Sequence, residues 1–204
     1  LLPELYPDLA DPDYRTAIAV FHQRFSTNTM PTWARAQPLR FLAHNGEINT
    51  LLGNINAMRA RQPVLESSVF GDDLDDLLPV IPTDGSDSMA LDGVLELLHH
   101  AGRDLLESMA VLIPEAYEAN PDVEADWRAF SRYHAAAMEP WDGPAALVFT
   151  DGQIAAAKVD RNGLRPLRYW ISERRVVAGS EAGIVEMAPD EITAKGRLGP
   201  GEMF

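Results

Sequence analysis

The sequence predicts an α+β domain, and three observations predict it. Apolar β-former runs occupy positions 15–43, helix-period apolar stripes fill 48–138, and after Pro144 the chain turns to short β-rich runs split by turn signals. Strands, then helices, then strands again is the order of a sheet packed by helices, not of alternating βα units. No internal repeat, low-complexity tract or linker divides the 204 residues, so a single domain, 1–204, is expected.

Element by element, residues 1–14, rich in Pro, Asp and Leu, read as an irregular arm. RTAIAVFHQRF, Arg15 to Phe25, reads as a strand, followed by a polar loop, STNTMPTWARAQP, and a second strand, Leu39 to Ala43. From Ile48 to Arg61 the apolar residues Ile48, Leu51, Leu52, Ile55 and Met58 recur at helical spacing. Asp72 to Leu78 predicts a short acidic helix before Pro79. Ser86 to His100 predicts a long one, with Ala90, Leu91, Val94, Leu95 and Leu98 as its stripe. Ser86 or Asp87 can cap it and Gly102 can end it. Asp104 to Leu112 and Val123 to Met138 continue the helical part. Ala145 to Thr150 and Gln153 to Val159 flank Asp151-Gly152, a two-residue hairpin signal. Leu167 to Ile171 and Arg175 to Ala178 suggest a second hairpin.

Composition narrows the function classes. With 46% hydrophobic and 24% charged residues the chain is ordinary globular protein, large enough to support a core without disulfides or a structural metal. No apolar run approaches the roughly 18 residues that span a bilayer, and no signal peptide opens the chain, so no membrane role and a cytoplasmic location are expected. The formal charge of −14 repels phosphate backbones, which argues against a nucleic-acid partner. Lys158 and Lys195 are the only lysines, which we read as genome composition. The absence of cysteine excludes disulfides, thiolate metal sites and an internal cysteine nucleophile.

The residues suited to chemistry are few. In RFLAHNGEINT, residues 40–50, an apolar run ends in His44, Asn45 and Gly46. A side-chain amide and a neighbouring backbone N–H aimed at one point make an oxyanion hole; an Asn-Gly turn explains the same residues. Arg24 can bind a carboxylate bidentately, or it is a salt-bridging surface arginine. Asp87 can hold an ammonium group, or it caps a helix. His99 and His100, near a helix C-terminus, need only the helix dipole. Asp160 to Leu167, DRNGLRPL, reads as a tight turn between strands. Neither metal-site spacing nor a Gly-rich phosphate loop is present.

Taken together, HQRFSTNT, LAHNGEINT, SDS at a helix start and DRNGLRPL resemble the class II glutamine amidotransferases, a branch of the N-terminal-nucleophile hydrolases. The longer wording FHQRFSTNTMPTWARAQPLRFLAHNGEINTLLGN is similar to the glutaminase domain of glutamate synthase large subunits, from about Arg15 to the C-terminus. That resemblance implies an Ntn-hydrolase-like αββα layered sandwich, incomplete here at its N-terminal strand. It implies hydrolysis of L-glutamine to glutamate and ammonia, with the ammonia transferred to 2-oxoglutarate in other domains. Arg24 matches the residue that binds the α-carboxylate of glutamine and Asp87 the one that holds its α-ammonium group. Asn45 and Gly46 match the oxyanion-hole pair, His44 has a supporting place beside it, and Asp160, Arg161 and Gly163 to Leu167 match a structural signature.

In that family the nucleophile is an N-terminal cysteine whose own α-amine is the base. Position 1 here is leucine, so the chain is expected to be an excerpt lacking the cysteine segment and inactive alone. FMN and an iron–sulfur cluster are expected in the parent enzyme's other domains and no cofactor in this chain; the expected partners are those domains and a small reductase subunit. The alternatives are another class II amidotransferase, of the phosphoribosyl diphosphate or asparagine-forming kind, and a non-catalytic module that binds an amino acid or a protein.

Overall fold

The structure is a computed structural model that describes residues 2–21, 30, 32, 35 and 39–204. Two three-stranded antiparallel sheets organise it. The first joins β1 (Leu42–Gly46), β2 (Ala145–Thr150) and β3 (Ala155–Val159) in the order β1-β2-β3. The second joins β4 (Arg168–Ser172), β5 (Val176–Gly179) and β6 (Ile192–Arg197) in the order β5-β4-β6. The α-helices whose bounds lie within the described residues are α1 (Leu2–Leu5), α2 (Leu51–Arg61), α3 (Asp87–His100), α4 (Leu105–Leu112) and α5 (Ala125–Ala135).

Both faces of the first sheet are covered, which is why β2 and β3 read as apolar runs without a polar side. Alternate side chains go to opposite faces. Leu147 and Phe149 join the core built with Leu91, Val94 and Leu95 of α3 and Leu105, Met109 and Leu112 of α4. Ala146, Ala157 and Val159 pack instead against Leu167, Ala178 and Leu198 of the second sheet and its flanks. The layers run helices, first sheet, second sheet, so the described residues supply the helix layer and both sheets of the expected sandwich. The alanines at the sheet–sheet contact keep that layer thin.

Side-chain acceptors cap two helices, and one buried carboxylate ties α3 to this frame. Ser86 caps α3, accepting from the Met89 N–H at 3.1 Å, and Asp104 caps α4, accepting from Leu106 and Glu107. In the middle of α3, Asp92 is buried and accepts the backbone N–H groups of Arg40 (2.7 Å), Phe41 (3.0 Å) and Leu42 (3.0 Å). Burial raises its pKa above the usual carboxylate value against the opposing pull of those three donors. Asp92 thereby fixes the point where the chain enters β1.

Several expectations need correction. The arm contains two short turns of helix, Leu2–Leu5 and the 3₁₀ segment Pro7–Ala10. Residues 15–21 form no strand and are mostly exposed; the remainder of that expected strand lies outside the described residues. The acidic segment is a 3₁₀ helix, Gly71–Leu77. The first hairpin is closed by four residues, because Thr150 pairs with Ala155 and the Asp151 carboxylate accepts from Gln153 and Ile154 at 2.8 Å each. β6 was not foreseen: ITAKGR pairs along β4 while staying largely exposed.

Candidate active site

β1 runs three residues beyond its expected end, so His44, Asn45 and Gly46 lie in the strand, opposite Leu147, Ala146 and Ala145 of β2. The Asn-Gly pair is therefore not a turn. Because side chains alternate, His44 shares the helix-side face with Leu147, while Asn45 shares the sheet–sheet face with Ala146. Asn45 Nδ2 donates to Ser180 Oγ at 3.0 Å, just past the end of β5.

Gly46 is required where it stands. Its φ is +135°, and a Cβ there would fall 1.8 Å from the Pro144 carbonyl oxygen. The Glu47 N–H donates to that same oxygen at 3.0 Å. The residues after HNG hold the 140–144 segment against it. The N–H groups of Asn49 (2.7 Å) and Thr50 (3.2 Å) donate to the Asp142 carbonyl. Thr50 Oγ1 accepts from the Asp142 N–H at 2.9 Å and donates to Asn54 Oδ1 at 2.6 Å. Asn54, buried on α2, donates onward to the Pro140 carbonyl at 3.1 Å. The wording HNGEINTLLGN is thus one unit of strand, turn and helix that clamps a second segment beside Gly46.

Asp87 is the first residue of α3 but does not cap it; Ser86 does. Its Oδ2 accepts the Ile48 N–H at 2.7 Å and its Oδ1 the Ser88 N–H at 2.8 Å. A carboxylate 39 positions away in sequence is in this way bonded two residues after Gly46. Arg24 lies outside the described residues. Arg35 donates to the carbonyl of Asp84, in the loop that leads to Asp87.

The DRNGLRPL signature supports the same place from below. Asp160 is buried, and its carboxylate accepts from the N–H groups of Ala145 (3.1 Å), Asn162 (3.1 Å), Leu164 (3.1 Å) and Arg165 (3.3 Å). Ala145 is the residue opposite Gly46, so Asp160 fixes the register on which the glycine depends. Arg161 bonds Asp142 at 2.6 Å.

Three features went unforeseen: Asp92, Ser180 and Lys158. Asp92 sits among apolar helix residues and Ser180 in a short polar loop, and neither carries a local mark. Lys158, noted from the sequence only as one of two lysines, is buried, its Nζ donating to the Gly201 carbonyl at 2.8 Å. A cavity of about 610 Å³ lies between Ala110–Pro121 and α5 and includes none of Asn45, Gly46 or Asp87. Among the described residues no group of three or more His, Asp or Glu side chains is placed to hold a metal, and no helix is long and apolar enough to cross a membrane.

A family model described as class-II glutamine amidotransferases matches residues 1–204. The chain belongs to that family. The chain is 52% identical over 201 residues to the NADH glutamate synthase of Saccharomyces cerevisiae, covering 98% of this chain and 9% of the relative. It is 49% identical over 200 residues to the large chain of the NADPH glutamate synthase of Bacillus subtilis, covering 98% and 13%. It is 48% identical over 207 residues to the ferredoxin-dependent glutamate synthase of Pyropia yezoensis, covering 100% and 14%. The chain therefore spans a small fraction of these relatives' length. The family belongs to the N-terminal-nucleophile hydrolases, and the helices and stacked antiparallel sheets agree with its α+β class.

Proposed function

We propose that these residues are the glutaminase region of a glutamate synthase large chain, hydrolysing L-glutamine to glutamate and ammonia that other domains add to 2-oxoglutarate. The observation that carries this reading is the convergence of Asn45, Gly46 and Asp87 on one short stretch, 45–48, of a chain in this family. In the proposed site Arg24 binds the α-carboxylate of glutamine and Asp87 its α-ammonium group. Asn45 Nδ2 and the Gly46 N–H meet the oxyanion, and His44 supports the strand from its other face.

The chemistry needs a thiol, and the 204 residues contain none. The nucleophile is therefore assigned to a cysteine outside this sequence. Its α-amine, with a pKa of roughly 7.7–8.0 when unperturbed, takes the thiol proton. The thiolate attacks the side-chain amide carbon of glutamine, ammonia leaves with a proton returned by the amine, and water cleaves the thioester to glutamate. An iron–sulfur cluster finds no thiolate ligand in these residues, so FMN and the cluster are assigned to other domains of the parent chain. Those domains, and a small reductase subunit, are the proposed partners.

Glutamine hydrolysis by the full-length protein tests the reading. Asn45→Ala is expected to lower kcat by 10²–10³-fold, about 2.7–4 kcal/mol of transition-state stabilisation, and an unchanged kcat would refute it. The isolated 204 residues are expected to release no ammonia from glutamine.

A further inference from the structure

A primary carboxamide nitrogen carries two hydrogens held in the amide plane at about 120° to one another. Asn45 spends one of them on Ser180 Oγ, at 3.0 Å and 135 residues away in sequence. The rotation that sets the amide plane of an asparagine is otherwise broad and roughly two-fold. A carboxamide free to turn would present its oxygen, an acceptor, toward a developing negative charge as readily as its nitrogen. Asn45 stands on β1 in the first sheet and Ser180 follows β5 in the second, so the bond crosses the contact between the sheets. Both partners are half-buried, which limits competition from water for the same hydrogen.

We infer that Ser180 is a positioning residue for glutamine hydrolysis: its hydroxyl fixes the carboxamide plane of Asn45 so that the second Nδ2 hydrogen meets the oxyanion. This rests on the glutaminase reading above. Ser180 makes no contact with the reacting atoms in this account. Its effect passes through Asn45 and belongs to the transition state, where the oxyanion exists, and not to ground-state binding of glutamine.

The test is a double-mutant cycle on the full-length protein, reading initial rates of glutamate release from glutamine. Ser180→Ala is expected to lower kcat about five- to tenfold, the scale of one net hydrogen bond, with KM unchanged. Ser180→Thr, which keeps the hydroxyl, is expected to restore kcat. In an Asn45→Ala background, Ser180→Ala is expected to have no further effect, because the group it positions is gone. An equal loss in both backgrounds, or a loss in KM alone, overturns the inference in favour of a general packing role. A normal kcat for Ser180→Ala beside a large loss for Asn45→Ala overturns it while leaving the glutaminase reading intact. A normal kcat for Asn45→Ala removes that reading and the inference with it. Should Ser180→Ala fail to fold, Ser180→Val is compared with the near-isosteric Ser180→Thr, and equal kcat values overturn the proposal.

Discussion

Replacing Lys158 with methionine should change how stability depends on pH, in a direction the structure dictates. The side chain is 1% exposed, and burial pushes its pKa from the ordinary 10.5 down to about 8, with the Glu115 carboxylate pulling the other way. The unfolded chain holds this proton up to about 10.5 while the folded chain releases it near 8. Between those values the unfolded state binds more protons, so stability rises with pH. At about 1.4 kcal/mol per pH unit, the gap corresponds to roughly 3 kcal/mol gained between neutral pH and pH 10.5. Lys158→Met keeps the unbranched stem and removes the titration. It also leaves the Gly201 carbonyl without its donor, a loss of about 1–3 kcal/mol that does not vary with pH. Urea unfolding of both chains at several pH values isolates the effect as the wild-type minus variant difference. That difference should climb by roughly 3 kcal/mol across the window. A flat difference would mean that the amine is not held in a dry site.

Two further substitutions probe the frame around the site. Gly46→Ala drives a methyl group into the Pro144 carbonyl. β1 and β2 must then part, and urea unfolding should show a loss above about 3 kcal/mol; wild-type stability would show that the strands do not approach so closely. Asp92→Ala strands the buried N–H groups of Phe41 and Leu42 and the part-buried one of Arg40, and should cost about 3 kcal/mol or more. Asp92→Asn should remove a pH dependence as well. The folded carboxyl holds its proton above its ordinary 3.8, so its contribution is largest in acid and is lost as pH rises through the folded value.

What the sequence reveals about this protein is what is encoded locally. The stripe and cap of α3 lie within fifteen consecutive residues, and their spacing identifies the helix. β1 is different: its last three residues are polar or flexible, and they are strand only because Ala145, Ala146 and Leu147, a hundred positions later, pair with them. β6 was hidden for the same reason, since an exposed strand of mixed composition has no period of its own. Among the site residues, Asn45, Gly46 and Asp87 were found through the wording of their motifs. The bond from Asp87 to Ile48 and that from Asn45 to Ser180 span 39 and 135 residues and leave no trace in any window of sequence. Arg24 lies outside the described residues, so its part in the site rests on resemblance alone.

The run of alanines in β2 and β3 has a consequence for how this protein can vary. Ala146 and Ala157 act as shims between the two sheets, and their size sets how far Ser180 stands from Asn45. A bulkier residue at either position would cost about 1–3 kcal/mol of stability, which a folded domain can survive, and would lift one sheet off the other. Chemical competence at the amide would then fade in a molecule that still folds, through a change at a residue with no polar atom in its side chain.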